Sequence, residues 1–404
     1  MAGPLSGMRV VELAHIMSGP ICGMMLADMG ADVIKVEKIP EGDDSRHFHP
    51  LLPCGESAAF LTVNRNKRGV GLNLKSASGR SVLLRLLDRA DVVTENYRRG
   101  TMEKLGLGYE TLKVSHPGLI YCAISGYGRT GPFADKGGFD LIAQGLCGLM
   151  SMTGEEGRPP IKSGSPVTDI NAGILAALGI AAAYAEKQRS GRGQMVDTSL
   201  FEAGLQQMYW PFAGYFADGS IPAKMGSANS TAAPYQVFPS RDGWINIGAA
   251  NQNNWERLLQ VLAAPEIASD PRFETNSGRM QHRVELVRLL TVRLTERTTA
   301  EWIGLFEPAG LPVGPVLGIP EAVAHPQTQA RGMIVETEHP TAGRVRGLGL
   351  PIHFSGGLNP GSRAAPLLGQ HTREVLRELA YAEREIAGLE EEKAVFSAIA
   401  TASP

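Results

Sequence analysis

The sequence predicts an α/β fold built around a mostly parallel, buried sheet. Three observations lead to this prediction. Apolar strand patterns alternate with helical patterns along the N-terminal part of the chain, Gly30 closes the first helix, and a second apolar strand follows that glycine. Such alternation is typical of βαβ units, whose strands lie parallel and are covered by helices.

The predicted elements follow one another in a regular order. Strands are predicted at residues 8–13, 32–37, 69–74, 91–95 and 119–125. Helices are predicted at residues 21–29, 78–89, 101–105, 139–150 and 171–187, and the last of these is rich in alanine. The turn after the first strand lacks the G-x-G-x-x-G pattern, so the topology does not indicate a dinucleotide site.

A second compact region is predicted over residues 235–330. It contains a strand hairpin around Asp242 and Gly243 and helices at residues 253–262, 279–293 and 299–309. Residues 211–234 are rich in Gly, Ala, Ser and Pro, and we interpret them as a linker. From residue 331 onward, strand-like pieces precede a charged helix at residues 374–393.

The composition is that of an ordinary globular protein of two or three domains, since 43% of the 404 residues are hydrophobic and 20% are charged. A net charge of -2 provides no general attraction for a polyanion, which argues against nucleic-acid binding. The four cysteines are scattered without a C-x-x-C pair, which predicts free thiols in a reducing cytoplasm. The nine histidines fall in no metal-ligand spacing, so no metal is predicted.

No membrane segment is predicted. The first eight residues lack the basic start and the apolar run of a signal peptide. The most apolar long stretch, residues 172–185, is interrupted by glycine and is well short of the roughly 20 residues that cross a bilayer. We therefore expect this stretch to be a buried helix.

Asp169 is the candidate catalytic residue with the clearest placement. It ends the run GSPVTD at residues 164–169, directly before the alanine-rich helix. The exposed N–H groups and the dipole of a helix N-terminus would favour a negative charge at that position. Two interpretations are open: a structural N-cap, or a carboxylate nucleophile that faces a cavity where a deeply buried helix begins.

Other segments carry residues suited to ligand binding. His15 lies in the first βα turn, and Asn96 to Arg99 follow a strand at the edge where open α/β sheets bind ligands. The basic run at residues 64–68 and the glycine-rich turns at residues 126–132 are also candidates for phosphate binding. For each of these segments a purely structural or solvated role is the alternative.

Taken together, these segments resemble the class III CoA-transferases, the family of formyl-CoA transferase and of the carnitine CoA-transferase and bile-acid-inducible proteins. The resemblance covers nearly the whole chain. It is carried by GMRVVEL (7–13), GADVIKVE (30–37), NRNKR (64–68), GLNLK (71–75), ENYR (95–98), SGYG (125–128), TGP (130–132), GFD (138–140), VTD (167–169), DPRF (270–273), GLPVGPV (310–316) and HPQ (325–327).

The resemblance implies a Rossmann-like large domain built from both chain ends, a smaller inserted α+β domain, and two chains interlinked like rings in a homodimer. Residues 1–210 and 331–404 would form the large domain, residues 211–234 the linker and residues 235–330 the small domain. The implied partners are an acyl-CoA and a carboxylic acid. The CoA thioester is a substrate, and no permanently bound cofactor is expected.

The resemblance also implies the site residues. Asp169 matches the family's catalytic aspartate, whose carboxylate attacks the donor thioester and carries first the acyl group and then CoA. Gly248, Ala249 and Ala250 match the family's acyl pocket. The positions that match the family's CoA contacts are His15, Met17, Ser18, Lys38, Leu72, Lys75, Asn96, Arg98, Lys104 and Asp140.

Two departures from the family pattern concern the substrate. Met17 replaces an amide side chain of formyl-CoA transferase. Residues 248–252 read GAANQ instead of the tetraglycine loop of the formyl and oxalyl enzymes. We therefore expect an acceptor other than oxalate, such as a dicarboxylate or a branched acid.

Three rival functions are distinguished by single features. An α-methylacyl-CoA racemase of the same superfamily needs a second base, a histidine before the aspartate, where this chain has Phe139 before Asp140. A non-catalytic acyl-CoA-binding protein would bind CoA without needing Asp169. An NAD-dependent oxidoreductase is disfavoured because the glycine fingerprint is missing.

Overall fold

A computed structural model describes residues 3–357 and 363–398 of the chain. Two compact units are distinguished in it. The larger comprises Met1–Leu149, Ser163–Tyr209 and Gln329–Pro404, and the smaller comprises Met150–Lys162 and Trp210–Thr328. Residues 150–162 and 211–234, expected in the large domain and in a linker, both group with the smaller unit.

The described residues form twelve strands. In chain order they are β1 (Arg9–Glu12), β2 (Asp32–Glu37), β3 (Lys67–Leu72), β4 (Val92–Glu95), β5 (Ile120–Ser125), β6 (Met195–Ser199), β7 (Tyr235–Pro239), β8 (Trp244–Gly248), β9 (Val313–Pro315), β10 (Ile334–His339), β11 (Gly343–Leu348) and β12 (Val395–Phe396).

Helices connect and cover these strands, together with two short 3-10 turns, Asp44–His47 and Pro271–Phe273. In chain order the α-helices are α1 (Ser18–Asp28), α2 (Ala58–Val63), α3 (Ala77–Leu87), α4 (Thr101–Lys104), α5 (Tyr109–Ser115), α6 (Asp140–Leu146), α7 (Leu149–Met152), α8 (Val167–Ser190), α9 (Leu200–Gln206), α10 (Tyr209–Asp218), α11 (Gln252–Leu262), α12 (Pro265–Ala268), α13 (Asn276–Gln281), α14 (Arg283–Leu294), α15 (Thr299–Phe306), α16 (Ile319–Ala324), α17 (Pro326–Ala330), α18 (Thr372–Glu378) and α19 (Glu383–Glu391).

A seven-stranded sheet organises the larger unit, with the strand order β12-β3-β2-β1-β4-β5-β6. β1 to β6 run parallel, and only the short β12 is antiparallel, where it pairs with β3. One apolar cluster joins the sheet to α3 and α18, and another joins it to α1 and α8. The predicted α/β class with a mostly parallel, buried sheet is confirmed.

The five predicted strands are present, whereas β6 was not predicted. β6 pairs with β5 at the edge of the sheet and carries the polar residues Asp197, Thr198 and Ser199. The continuous apolar run that marks a central parallel strand is therefore absent from it. The short helices α2, α5 and α9 were not predicted either.

Three predicted helices are interrupted in the structure. Residues 139–150 form α6 and α7, which are separated where Gly148 has a φ of 97°. Residues 374–393 fall on α18 and α19, between which Ala380 has a φ of 62°. Residues 279–293 fall on α13 and α14, which part at His282. Residues 211–218, expected in the linker, belong to α10. A single break of this kind leaves little trace in an apolar pattern.

The smaller unit has its own sheet and core. β7, β8 and β9 form a three-stranded antiparallel sheet, and the predicted hairpin around Asp242 and Gly243 is confirmed by the pairing of β7 with β8. Its core includes Phe238, Trp255 and Trp302, all of them buried. A single apolar cluster of this size gives the unit an independent core.

The helix α8 is the centre of the second cluster of the larger unit. With 24 residues it is long and apolar enough to cross a membrane by length and composition, so the length argument made from the sequence was wrong. Its small residues Ala172, Ala176 and Ala183 are nevertheless buried against the sheet and α1. The expectation of a buried helix thus rests on its packing.

Gly173 sets the distance between α8 and α1. A Cβ atom at this position would lie 2.5 Å from the carbonyl oxygen of Ser18 and 3.0 Å from Cβ of Ile21. Both are parts of a buried helix start that has no room to move. The two helices therefore approach each other as closely as only glycine permits.

We expect Gly173→Ala to lower the free energy of unfolding by about 1–3 kcal/mol, because the added methyl overpacks the contact with Ser18. Chemical denaturation measures this. Gly388→Ala in α19 is the matched control, since an added Cβ there meets no atom within 4 Å and alanine has the higher helix propensity. Equal stability of the two variants would contradict the close contact.

Candidate active site

Asp169 lies inside the first turn of α8 and not before it. The helix begins at Val167, with Pro166 as its N-cap residue, so the predicted start at residue 171 was four residues late. The apolar pattern used for the prediction begins only after this polar first turn. Because Pro166 occupies the N-cap position, the structural interpretation of Asp169 as an N-cap is wrong.

The proline also removes the usual partner of an acid in the first turn. An acidic side chain at the third helical position commonly accepts a hydrogen bond from the N–H group of the N-cap residue, and Pro166 has no N–H group. Among the residues that the structure describes, no group donates a hydrogen bond to the carboxylate of Asp169. A partly buried carboxylate is thus held without a structural task.

A second acid, Asp140, accepts the hydrogen bonds that the neighbouring residue Thr168 donates at the start of α8. Oδ1 of Asp140 accepts hydrogen bonds from the backbone N–H of Thr168 at 3.0 Å and from its hydroxyl at 2.7 Å. Oδ2 of Asp140 accepts one from the amide of Gln144 at 2.7 Å, and Gln144 in turn accepts one from the backbone of Ser163 at 2.9 Å. Asp140 therefore fixes α6 and the segment before α8 to the helix that carries Asp169.

Burial raises the pKa of Asp169 to about 6, and the nearby negative charge of Asp140 adds to the effect. The sequence led us to expect the opposite direction, because a helix N-terminus favours negative charge. The difference follows from the neighbouring residues: Asp140 takes the N–H group of Thr168, and Pro166 offers none. At neutral pH the carboxylate of Asp169 is mostly ionised, yet more basic than an ordinary aspartate.

The close contact between α8 and α1 places Asp169 near the start of α1. Asp169 and Gly173 are four residues apart and share one face of α8, separated by about 6 Å along the helix axis. Gly173 abuts the carbonyl of Ser18, the first residue of α1. The aspartate therefore lies about one helical turn beyond the start of α1.

The predicted CoA contacts of the larger unit gather at one edge of the sheet. They follow the carboxyl ends of parallel neighbouring strands, where open α/β sheets bind ligands. His15, Met17 and Ser18 follow β1, Lys38 follows β2, Leu72 ends β3 and precedes Lys75, and Asn96 and Arg98 follow β4 and precede Lys104.

His15 and Asn96 hold two of these loops together. The side chain of Asn96 accepts a hydrogen bond from the backbone N–H of His15 at 2.9 Å and donates one to its carbonyl at 2.7 Å. The imidazole of His15 lies 5.6 Å from the ring of Tyr97, and burial lowers its pKa. A cavity of about 60 Å³ opens here, lined in part by His15, Lys38 and Asp44.

The cationic candidates differ in their surroundings. Lys75, Arg98 and Lys104 are exposed, and the ammonium of Lys38 pairs with Asp44 at 2.5 Å. The guanidinium of Arg98 lies over Gly137, close enough that a Cβ there would approach it to 3.2 Å. These four cations border the carboxyl edge and suit a polyanionic ligand.

The basic run at residues 64–68 is neither a phosphate-binding segment nor a solvated loop, the two roles considered from the sequence. Arg65 is ion-paired with Asp28, and Arg68 is paired with Asp32 at 2.6 Å. Lys67 is fully buried. These residues are neither a solvated loop nor exposed phosphate ligands, because their charges are neutralised inside the larger unit.

A larger cavity, of about 220 Å³, lies at the opposite, amino end of the strands. Its lining includes Arg9, Asp32, Arg68 and Glu378. Arg68 is paired there with Asp32 at 2.6 Å and with Glu378 at 2.7 Å, so these lining charges satisfy one another. The smaller cavity at the carboxyl edge is therefore the better candidate for a ligand site.

The predicted acyl-pocket residues lie in the smaller unit, where β8 turns into α11. Gly248 ends β8, and its N–H donates to the carbonyl of Pro312 at 2.9 Å. Ala249 is buried and donates to the carbonyl of Pro234 at 3.0 Å, and Ala250 is exposed. The turn is thus braced by backbone hydrogen bonds.

Sequence reasoning missed the buried charges beneath the site. Glu12, Lys35 and Asp43 lie below the loop after β1 and are almost completely buried. A signal existed, because Lys35 interrupts the apolar run of β2. In the part of the chain that the structure describes, no group of three His, Cys, Asp or Glu side chains is arranged to hold a metal ion.

Comparisons with known proteins agree with this geometry. Residues 5–372 match the family model of the CoA-transferase family III. The chain is 40% identical over 389 residues to a succinate–glutarate CoA-transferase of Agrobacterium fabrum, covering 94% of this chain and 97% of that protein. It is 36% identical over 380 residues to an acetyl-CoA:oxalate CoA-transferase of Acetobacter aceti, covering 94% and 96%. The crystal structure of a CAIB/BAIF family protein from Brucella suis matches with a TM-score of 0.85 and 38% identity, covering 94% and 100%.

The raised pKa of Asp169 predicts a pH-dependent cost to folding. The folded protein binds this proton more tightly than the unfolded chain, since the pKa is about 6 instead of 3.8. The ionised carboxylate therefore destabilises the fold fully above about pH 6, and the effect disappears as the pH falls toward 4. We expect Asp169→Asn to raise the midpoint temperature of thermal unfolding at about pH 7.5 and to leave it unchanged at about pH 4.

Glu383→Gln is the matched control for this measurement. A hydrogen bond from Arg377 lowers the pKa of Glu383, so its charge is favourable in the folded protein. This variant should gain no stability at either pH. A gain for Asp169→Asn that persists at acid pH would contradict the assignment of the raised pKa to Asp169.

Proposed function

The chain belongs to the CoA-transferase family III and transfers CoA between an acyl-CoA and a carboxylic acid, and from this premise we propose that Asp169 carries the covalent intermediates of the transfer. The family predicted from the sequence motifs is confirmed. The observation that carries the proposal is the carboxylate of Asp169, which has no hydrogen-bond donor among the described residues and a pKa of about 6.

The first half of the proposed cycle uses the carboxylate as a nucleophile. One oxygen of Asp169 attacks the thioester carbonyl of the donor, the carbon–sulfur bond breaks, and CoA leaves as a thiolate. The product is a mixed anhydride between the donor acid and Asp169. The thiolate then attacks the aspartyl carbonyl, which releases the donor acid and leaves an aspartyl-CoA thioester.

The second half repeats these steps with the acceptor. Its carboxylate attacks the aspartyl thioester, forms a new mixed anhydride and releases the CoA thiolate again. The thiolate attacks the acyl carbonyl of the acceptor, which gives the new acyl-CoA and frees Asp169. Partial burial suits this cycle, because water would hydrolyse either the anhydride or the thioester.

The cations at the carboxyl edge suit the phosphates of CoA. Lys75, Arg98 and Lys104 are exposed there, and Lys38 borders the cavity beside His15. Charge-assisted hydrogen bonds from such side chains are the usual partners of phosphate oxygens. Asp140 differs from the other proposed contacts, because both of its oxygens already accept hydrogen bonds from Thr168 and Gln144.

We propose a dicarboxylic acid longer than oxalate as the acceptor. The Agrobacterium relative is named a succinate–glutarate CoA-transferase, whereas the Acetobacter relative is named an acetyl-CoA:oxalate CoA-transferase. Because the chain is similarly identical in sequence to both relatives, overall identity does not distinguish the two acids. The residues of the predicted acyl pocket have to distinguish them. Residues 248–252 carry GAANQ in place of the tetraglycine loop of oxalyl enzymes, which favours an acceptor longer than oxalate.

The racemase alternative is not supported by the residue before Asp140. Phe139 is 69% exposed and has no proton to exchange with an α-carbon.

For the assembly we propose the interlinked homodimer, and for the location the cytoplasm. Trp210, Phe216 and Ile221 support a dimer, because these large apolar residues are each more than three quarters exposed, as is typical of surfaces that bind another protein.

The covalent route predicts an adduct that depends on one side chain. With succinyl-CoA alone, intact-protein mass spectrometry should detect CoA attached to the protein, and peptide mapping should locate it at Asp169. Asp169→Ala should abolish the adduct and reduce turnover by at least about a thousandfold, because the nucleophile itself is removed. Binding of CoA, measured by calorimetry, should persist. Turnover by Asp169→Ala at the wild-type rate would refute the route.

The acceptor is tested with one donor and a graded set of acids. With succinyl-CoA as donor, mass detection of new thioesters should show faster CoA transfer to glutarate than to oxalate. Substitution of Ala249 and Ala250 by glycine in one variant is the matched test of the pocket, and it should raise the relative rate with oxalate. A wild-type protein that prefers oxalate would exclude the proposed acceptor class.

A further inference from the structure

The loop between β1 and α1 contains a strained residue. Ile16 has a φ of 69°, in the left-handed region that a β-branched side chain rarely adopts. It lies between His15 and Met17, two of the residues proposed to contact CoA. The following inference therefore rests on the proposed CoA site.

Asp43 holds Ile16 in this conformation. Its carboxylate accepts the backbone N–H of Ile16 at 3.0 Å from one oxygen and at 3.2 Å from the other. The same carboxylate pairs with the ammonium of Lys35 at 2.8 Å and accepts two hydrogen bonds from Ser45. Asp43 is only 3% exposed, so these contacts are shielded from bulk solvent.

Two buried lysines extend this support to both ends of the loop. Lys35 donates to the carbonyl of Ala14 at 2.9 Å, and Lys67 donates to the carbonyl of Pro20 at 2.9 Å. Both ammonium groups share the carboxylate of Glu12, at 3.1 Å from Lys35 and 2.8 Å from Lys67. The network thus contacts the backbone at the start of the loop, inside it and in the first turn of α1.

The charges of the network balance inside the protein. Glu12, Lys35 and Lys67 are completely buried, and together with Asp43 they comprise two anions and two cations. Although burial favours protonated Asp43, the ammonium of Lys35 outweighs it and keeps the pKa of that carboxyl well below its ordinary value. Asp43 is therefore ionised wherever the enzyme works.

We propose that Asp43 and Lys35 are positioning residues that hold the loop Ala14 to Ser18 in its CoA-binding conformation. An ion network of this kind contributes little net stability, and apolar residues of the same volume would often stabilise a fold more. Three arms of this network end on the backbone of the loop or of the first turn of α1, and a fourth, from the N–H of Ser45, anchors Asp43 itself. Its geometry therefore serves the shape of the loop.

The strained residue supplies a test specific to positioning. Isothermal titration with CoA should give a dissociation constant about tenfold higher for Asp43→Ala, because Ile16 relaxes from its left-handed conformation. In an Ile16→Gly background, where glycine adopts that conformation without strain, the same substitution should change the constant by less than about twofold. Asp43→Leu, which fills a similar volume but offers no acceptor to the N–H of Ile16, replaces Asp43→Ala in both backgrounds if the alanine variant does not fold.

Asp32→Asn is the matched control. Asp32 also forms an ion pair on β2, with Arg68 at 2.6 Å, but at the amino end of the strand. It should lower the unfolding temperature without changing CoA binding. Unchanged CoA affinity in Asp43→Ala, or an equal loss in both backgrounds, overturns the inference.

The titration also separates this inference from the proposed function. CoA binding requires no chemistry at Asp169, so a missing covalent adduct would refute the aspartyl route and leave the titration informative. An adduct at Asp169 combined with normal CoA affinity of Asp43→Ala would refute only the positioning role. A wild-type protein that does not bind CoA would overturn both.

Discussion

The candidate site depends on one carboxylate that the fold partly buries without giving it a hydrogen-bond donor among the described residues. A buried acid normally lies beside a cation or hydrogen-bond donors, because isolation costs free energy. For Asp169, Pro166 withholds the capping donor and Asp140 takes the N–H group of Thr168. The resulting carboxylate is basic enough to attack a thioester and still ionised at neutral pH.

Two aspartates on facing helices thus have different environments. Asp140 has both oxygens saturated by Thr168 and Gln144, which suits a fixed, structural anion. Asp169 has none of these bonds, and the charge of Asp140 further raises its pKa. Environments that divide two neighbouring acids in this way are typical of sites where the two carboxylates have different roles.

The sequence predicts the parallel sheet and its ligand-binding edge, because both follow from the period of apolar residues and the order of the elements. It does not predict the helix breaks at Gly148 and Ala380, since one left-handed residue does not disturb that period. The residues alone leave Asp169 open between an N-cap and a nucleophile, and the family resemblance selects the nucleophile. The missing donors depend on the helix starting at Val167, which the apolar pattern does not mark.

The buried charges beneath the site are a second feature that the sequence alone does not explain. Lys35 stands out in the sequence of β2, but its purpose depends on Asp43 and Glu12, which approach it only in the folded sheet. A hydrophobic residue at position 35 would fill the same volume and cost no desolvation. It would not contact the carbonyl of Ala14 or balance the charge that holds Ile16 in place. A charge inside a sheet is therefore understood from the backbone it fixes, and here that backbone is the loop whose last residue, Ser18, abuts α8.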